Sequence, residues 1–293
     1  MFLVLGNVAV DEFMAATDWP LPGRTVLVGP PRRDLGGKGA NQAIVLHRTG
    51  AAVRFVATIG DDEAGRWVAA ELAREGLATD LVHADAPTDR GLIFVSPSGE
   101  NAIASTCACS DALTPAQAET AVATASPGDV LVLQGGLTAE ANSAALRAAR
   151  PRGLRTVFNP SAMRPGYEAL IPLADLLVVN AGEATQLAGQ GTPLEQAARL
   201  SAAGAGAAVI TLGANGAVSS AGHTAPAAPA TVVDTTGAGD CYLAVLAACL
   251  LARNLSLDAA MRHAAAAAAI TVSRRGTVSA FPTASELAAI LDI

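Results

Sequence analysis

Lysine is almost absent from this chain: among the 19 basic side chains of its 293 residues, Lys38 is the single lysine and every other is arginine. Charge is sparse altogether, at 15% of residues against about 25% in an average soluble protein, and aromatics reach only 3%. The 19 basic and 26 acidic groups leave a net charge of −7, and the basic residues cluster only as the pairs Arg32-Arg33 and Arg274-Arg275. That excludes nucleic acid as the main partner, because binding a phosphate backbone needs a positive stripe. Long apolar runs are missing too. The two best, 241–252 and 264–272, fall short of the roughly 18 residues that cross a membrane and read as buried helices, so no membrane is expected as a partner. Residues 1–10 are apolar but too short for a secretory leader, and Asp11-Glu12 closes them. The four cysteines, at 107, 109, 241 and 249, have no His or Cys at zinc-ligand spacing. Cys107 and Cys109 alternate as on one face of a strand, and all four read as small buried thiols. These absences together predict a cytoplasmic globular protein.

What is plentiful is apolar surface. Hydrophobic residues make up 51%, much of it alanine, which suffices for a large core and excludes disorder as the main state. The drift towards Ala, Gly, Arg and Pro suggests compositional pressure against lysine, which marks Lys38 as a candidate functional residue.

Short β-rich apolar runs alternate with helical stretches along the chain. Run 2–6 opens it, 53–57 precedes a helix over 63–75, and 130–133 precedes one over 139–149. Run 156–158 follows, then 176–179 before a helix over 182–188, and 207–212 after a helix over 194–203. Continuous apolar strands alternating with helices predict an α/β fold, a doubly wound and mostly parallel sheet sandwiched by helices. Two segments break the alternation. One, about 11–34, is punctuated by Pro20, Pro22, Gly23, Pro30 and Pro31 and carries a strand-like piece at 25–28. The other, about 88–106, places 92–95 and 102–105 around a turn at 97–100. They are expected to form a small inserted β-sheet acting as a lid on one domain of residues 1–293.

Two strings carry chemistry. In Val232-Val233-Asp234-Thr235-Thr236-Gly237-Ala238-Gly239-Asp240, small residues precede an apolar helix beginning at Cys241. The free N–H groups and dipole of a helix N-terminus favour an anion there. A carboxylate at Asp240 would repel a phosphate unless it took a proton from an attacking hydroxyl while the N–H groups held the transferring phosphoryl. A capping Asp beside turn-forming glycines would give the same string. The second, Gly36-Gly37-Lys38-Gly39-Ala40-Asn41-Gln42, leads into a helical stretch over 43–49. It is no Walker A loop, yet it offers N–H groups, one ammonium and the Asn41 amide to a polyhydroxylated ligand. A glycine turn that starts a helix is the plainer alternative.

Together these strings resemble the two signatures of the PfkB, or ribokinase-like, family of carbohydrate kinases. The resemblance spans the chain: Gly6 to Asp11 is similar to the family's opening substrate strand. Asn180-Ala181-Gly182-Glu183 matches its Asn-x-x-Glu motif, and Thr211-Leu212-Gly213-Ala214-Asn215-Gly216 its nucleotide-binding turn. The resemblance implies ATP-dependent phosphorylation of a primary hydroxyl of a sugar, ribose or a related pentose or hexose. Asp240 would be the base, with the amides of Gly237, Ala238 and Gly239 as anion hole. Asp11, Gly37, Lys38, Gly39 and Asn41 would hold the acceptor, and Asn180 with 211–216 would line the ATP. Glu183, with Asn180, would organise Mg²⁺ through water, and Asp234, Thr236, Thr271, Arg274 and Gly276 would surround K⁺. Pairing of two copies through the lid is a further implication.

The chain departs from the family's ribose-phosphorylating members in three places. Ala9 stands for an asparagine, Gln134-Gly135-Gly136 lacks a sugar-binding carboxylate, and Cys241 follows the base instead of threonine. The lost polar groups keep open a nucleoside kinase of adenosine or pseudouridine type, in which a base would supply affinity through the lid. A non-catalytic metabolite-binding regulator is the alternative from another class.

Overall fold

The computed structural model describes residues 1–19, 21–96 and 101–292. Its larger sheet has the order β13-β12-β11-β10-β9-β8-β1-β4-β5 and its smaller one β3-β2-β6-β7. In chain order the strands are β1 (Phe2–Leu5), β2 (Ala9–Ala15), β3 (Arg32–Gly36), β4 (Val53–Gly60), β5 (Ala78–Ala84), β6 (Arg90–Val95) and β7 (Asn101–Ser105). They continue with β8 (Val130–Gln134), β9 (Arg155–Asn159), β10 (Leu176–Asn180), β11 (Ala207–Thr211), β12 (Ala217–Ser219) and β13 (Thr224–Ala225). The helices are α1 (Lys38–Arg48), α2 (Glu63–Arg74), α3 (Ala108–Asp111), α4 (Pro115–Ala123), α5 (Ala139–Ala149), α6 (Ala181–Ala188), α7 (Pro193–Ala202), α8 (Ala238–Ala247), α9 (Leu257–Val272) and α10 (Ala284–Ile290).

Period-two alternation along each apolar strand divides the core between two faces. On β1, Phe2 and Val4 join a cluster with α1, α2, α8 and α9, while Leu3 and Leu5 join a second cluster with α4, α5 and α7. Val130 and Val132 of β8 follow the first face, Leu131 and Leu133 the second. From β5 to β11 the large sheet is parallel, and β12 and β13 close it antiparallel. The doubly wound expectation therefore holds. On the first face the alanines of α8 and α9, among them Ala244, Ala247, Ala260, Ala264 and Ala267, are fully buried. Small side chains let these helices pack closely, which is where the alanine surplus goes. Among the described residues no helix is long and apolar enough to cross a membrane.

The small sheet contains both inserted segments, with one change of strand. Residues 25–28 form no strand; they are mostly exposed, Leu27 at 88%. Gly29 takes a single bond to Ala15 O, and Pro30 and Pro31 have no N–H to continue a ladder. The strand beside β2 is instead β3, where Leu35 is buried and Arg32 lies over the Phe13 ring at 4.7 Å. The expected turn at 97–100 lies outside the described residues. Cys107 and Cys109 do not alternate on a strand either: Cys107 is exposed at the N-terminus of α3 while Cys109 is buried, like Cys241 and Cys249. The strands β5, β12 and β13 and the helix α4 carry weaker apolar patterns and escape sequence reading.

Candidate active site

The parallel strands β8 to β11 end in polar residues. Gln134 pairs in register with Asn159, and Asn180 with Thr211, so four polar side chains stand along the C-terminal edge of the sheet. Crevices at that edge are where doubly wound sheets bind ligands.

At one part of this edge the two ends of the chain meet. Helix α8 begins at Ala238, three residues before the expected start, so Asp240 sits in its first turn. Its carboxylate is 4% exposed. Asn41 Nδ2 donates to Oδ2 at 2.8 Å and Gln42 Nε2 to Oδ1 at 2.9 Å. Both donors lie on α1, which starts at Lys38, earlier than expected, because Gly37 at φ +88° turns the chain directly into the helix. Gly37 and Gly39 lie against the β1–β2 connection. A Cβ at Gly39 would come within 2.7 Å of Asn7 O, and at Gly37 within 2.7 Å of Val8 Cα. No side chain fits at either place.

The amides expected to form the anion hole differ in freedom. Gly237 takes φ +75° and rests on the Phe281 ring. Ala238 N donates across the turn to Thr235 O at 3.3 Å. Gly239 faces open space: a Cβ there would meet nothing within 4 Å. The first-turn N–H groups thus border a cradle that a side chain would partly fill, which suits an anion.

Asp11, on β2, is 7% exposed and accepts from Thr277 Oγ1 at 2.9 Å. Gly36 and Gly91, on the strands either side, make room for it; a Cβ at either would run into its carboxylate. Burial pushes the Asp11 carboxyl up to about 7; the charges of Asp34 and Asp240 add to this, while the Thr277 bond and Lys38 oppose it. Lys38 is half-buried and forms no ion pair among the described residues. Asn41 Oδ1 is a buried acceptor with no donor among them. One site therefore collects Asp11, Lys38, Asn41 and Asp240.

A second group lies further along the same sheet edge. Asn180 caps α6: Glu183 N donates to Asn180 Oδ1 and Asn180 N to Glu183 Oε2, each at 2.9 Å. This reciprocal capping box explains the Asn-x-x-Glu spacing by itself, with Glu183 buried and Asn180 exposed. Next to it, Gly213–Asn215 forms an exposed single-turn helix after Thr211 and Leu212, closed by Leu212 N to Gly216 O at 2.7 Å. Gly216, at φ +83°, must be glycine, since a Cβ would strike Ala225 O.

Asp234, 2% exposed, accepts from Thr236 N at 3.0 Å and from Gly276 N at 3.1 Å. It thereby stitches the segment before α8 to the one after α9, bringing Thr236, Thr271, Arg274 and Gly276 together. Arg274 pairs with Glu286, so its side chain is already engaged. Among the described residues no cluster of three or more His, Cys, Asp or Glu could hold a metal.

Several participants are not visible as such in the sequence. Gln42 stands there only as the end of a motif. Thr277, which holds Asp11, follows the Arg274–Gly276 string, so proximity is its one signal. Asp34, on β3, accepts from Thr277 N at 2.9 Å and Ser279 Oγ at 2.7 Å. Asn101 Nδ2 reaches from β7 to Thr236 Oγ1 at 2.9 Å. Both tie the small sheet to the loops around Asp240. Gly136, in the string 134–136 that lacks a carboxylate, lies so close to Asn7 that a Cβ there would collide with the Asn7 amide. Asn7 Oδ1 in turn accepts from Gly39 N at 3.3 Å, at the start of α1.

Comparison with known proteins identifies the family. The description "pfkB family carbohydrate kinase" matches residues 2–284. The chain is similar to the ribokinase of Bacillus subtilis strain 168, with 32% identity over 292 residues that cover 98% of each chain. It is 29% identical over 292 residues to the bifunctional ribokinase/ribose-5-phosphate isomerase A of Fructilactobacillus sanfranciscensis, and spans 54% of that longer protein. Among solved structures, the ribokinase of Cryptococcus neoformans var. grubii serotype A in complex with ADP superimposes with a TM-score of 0.81 at 31% identity, covering 99% of this chain and 98% of that one. With the match running nearly end to end and the five motifs lying on one sheet edge, the chain belongs to the pfkB family of carbohydrate kinases.

Proposed function

We propose that this kinase transfers the γ-phosphoryl group of ATP to a primary hydroxyl of ribose or a closely related sugar, with Asp240 as general base. The observation that carries the reading is the buried Asp240 carboxylate, held by two amides at the mouth of an open helix N-terminus. A carboxylate in that position can accept the acceptor's proton, while the Gly237 to Gly239 backbone stabilises charge on the transferring group. Phosphoryl transfer is loose, so a weak base suffices and positioning matters most. Asp11 and Asn41 Oδ1 supply the acceptors that sugar hydroxyls need, and Lys38 is the mobile cation beside them. An idle regulator would not need the carboxylate so held, and the ADP complex of the fungal ribokinase supports ATP as donor.

Asn180, Thr211 and residues 212–216 would line the nucleotide. Glu183 would hold Mg²⁺ through water, a mode in which one carboxylate is enough when phosphates and waters complete the shell; the ion would neutralise phosphate charge. Backbone oxygens of the loops joined by Asp234 fit K⁺, which would fix the anion hole's conformation. The small sheet acts as the lid, excluding water from the reaction. Its far face carries Met14, Leu92, Phe94, Ala102 and Ala104 in register, Leu92 being 39% exposed, and pairs two copies.

The test is ADP release across a panel of pentoses, hexoses and nucleosides, with and without K⁺. Ribose or a near relative is expected to lead, and Asp240→Asn is expected to lower turnover by about 10³-fold or more with ATP binding retained. A nucleoside preferred over every sugar would replace the acceptor assignment; an Asp240→Asn variant at the normal rate would remove the base.

A further inference from the structure

Gln134, the last residue of β8, donates through Nε2 to Gln42 Oε1 at 2.8 Å, and Gln42 donates in turn to Asp240 Oδ1 at 2.9 Å. Both glutamines are 0% exposed. The direction of this line is dictated by chemistry. An ionised carboxylate only accepts, so Gln42 must turn its NH₂ to Asp240 and its carbonyl to Gln134, which must present its own NH₂. Room for Gln134 comes from Gly6, where any Cβ would run into Gln134 Oε1. That Oε1 has no hydrogen-bond partner among the described residues. An apolar side chain of similar size would avoid the cost of a buried unmatched carbonyl, so space-filling does not account for an amide here. What the amide contributes is its N–H.

We infer that Gln42 and Gln134 are positioning residues for the base, a directional amide relay that fixes the Asp240 carboxylate against an interior strand of the sheet. This rests on Asp240 being the base. Asn41 holds Oδ2 and the relay holds Oδ1, so the carboxylate cannot rotate without losing both bonds. Its remaining lone pairs then point along fixed directions, and a well-aligned acceptor hydroxyl depends on that. The other ionisable groups coupled to the Asp240 charge are Asp11 and Cys241, with Asp34 and Lys38 acting on Asp11 and Arg48 on Cys241. The substitutions below leave all of them in place.

Gln134→Met is the incisive change. It conserves size and removes the N–H that Gln42 Oε1 accepts, so the Gln42 amide loses the bond that fixes its direction towards Asp240. Expected are a fall in kcat of about three- to tenfold and a KM for ATP within about twofold. In a Gln42→Met background the link is cut, so Gln134→Met should add almost nothing. Thermal melts of each variant separate lost activity from lost protein, and if Gln134→Met does not fold, Gln134→Leu carries the same coupling test. A wild-type kcat in the Gln134 variant, or a fall matched by an equal loss of ATP binding, overturns the relay. So does an equal cost with and without Gln42. If Asp240→Asn is inactive while the relay variants behave like wild type, the relay alone fails; an active Asp240→Asn removes the base reading itself.

Discussion

Asp11 is expected to make the empty protein less stable for the sake of its acceptor, and Asp11→Asn tests this. In the folded chain the carboxyl titrates near 7, against 3.8 for an unperturbed aspartate, chiefly because burial removes water from it. Between those two values the folded state binds more protons than the unfolded one, so stability falls as pH rises from about 4 to about 7 and is level above. The shift corresponds to about 4 kcal/mol of destabilisation at pH 8, most of it arising within that window. The amide introduced by the substitution has no charge to desolvate and still offers its carbonyl oxygen to Thr277. The variant should therefore melt at nearly constant temperature from pH 5 to 8 and exceed wild type at pH 8 by roughly 5–10 °C. Sugar hydroxyls donating to the carboxylate return part of the cost, so sugar affinity in wild type should rise up to about tenfold per pH unit below 7 and then level off. The variant should bind sugar weakly at every pH. Melting curves and calorimetric titration of the sugar at matched ionic strength measure both effects. If Asp11→Asn is no more stable than wild type at pH 8, or if sugar affinity in wild type is flat from pH 5 to 7, the linkage reasoning is wrong.

Lys38→Arg conserves charge, but a planar guanidinium cannot replace a compact ammonium beside a sugar and a phosphate. An increase in acceptor KM or a fall in kcat of about tenfold or more is expected from steady-state kinetics, and wild-type kinetics would make the lone lysine an accident of composition. Gly239→Ala should separate turn from cradle. The methyl group meets no atom of the protein and suits a helix, so stability should rise by about 0.5–1 kcal/mol in denaturant titration. Turnover should drop because the methyl group borders the phosphoryl position; unchanged turnover would move the anion hole elsewhere.

Much of the fold was legible because β1, β8, β10 and β11 are short apolar runs with both faces covered, a pattern that parallel sheets impose. The limits of the reading are equally physical. Residues 25–28 have the composition of a strand, but a strand needs a partner edge, and the two prolines after Gly29 hand that edge to residues 32–36. Cys107 and Cys109 show the same weakness: alternation over three residues is compatible with a strand or with one helical turn, and only the turn into α3 decides. The glycine strings were visible, but the starting points of α1 and α8 were not, since Gly37 and Gly237 begin each helix through a positive φ that composition cannot display.

The candidate site divides along a different line. Residues proposed to meet a ligand through their own chemistry, Asp240, Lys38 and Asn41 among them, could be named from motif and residue type. Residues that act on those groups could not, because their partners are nearly the whole chain away in sequence: Thr277 from Asp11 by 266 positions, Gln42 from Asp240 by 198. Nothing in a local window distinguishes a glutamine that holds a base from one that faces water. The string at 134–136 makes the point most sharply. Read alone, it lacks a carboxylate; in the fold Gly136 leaves the space that the Asn7 amide occupies, with Gly39 N donating to that amide. A polar group of the β1–β2 connection thus stands against the end of β8, and any side chain at 136 must contend with it. Placing a glutamate at 136 alone should clash with Asn7 and lower activity on every acceptor, whereas pairing it with Asn7→Ser should recover activity, and kinetics of the two variants side by side would show whether these positions act as one.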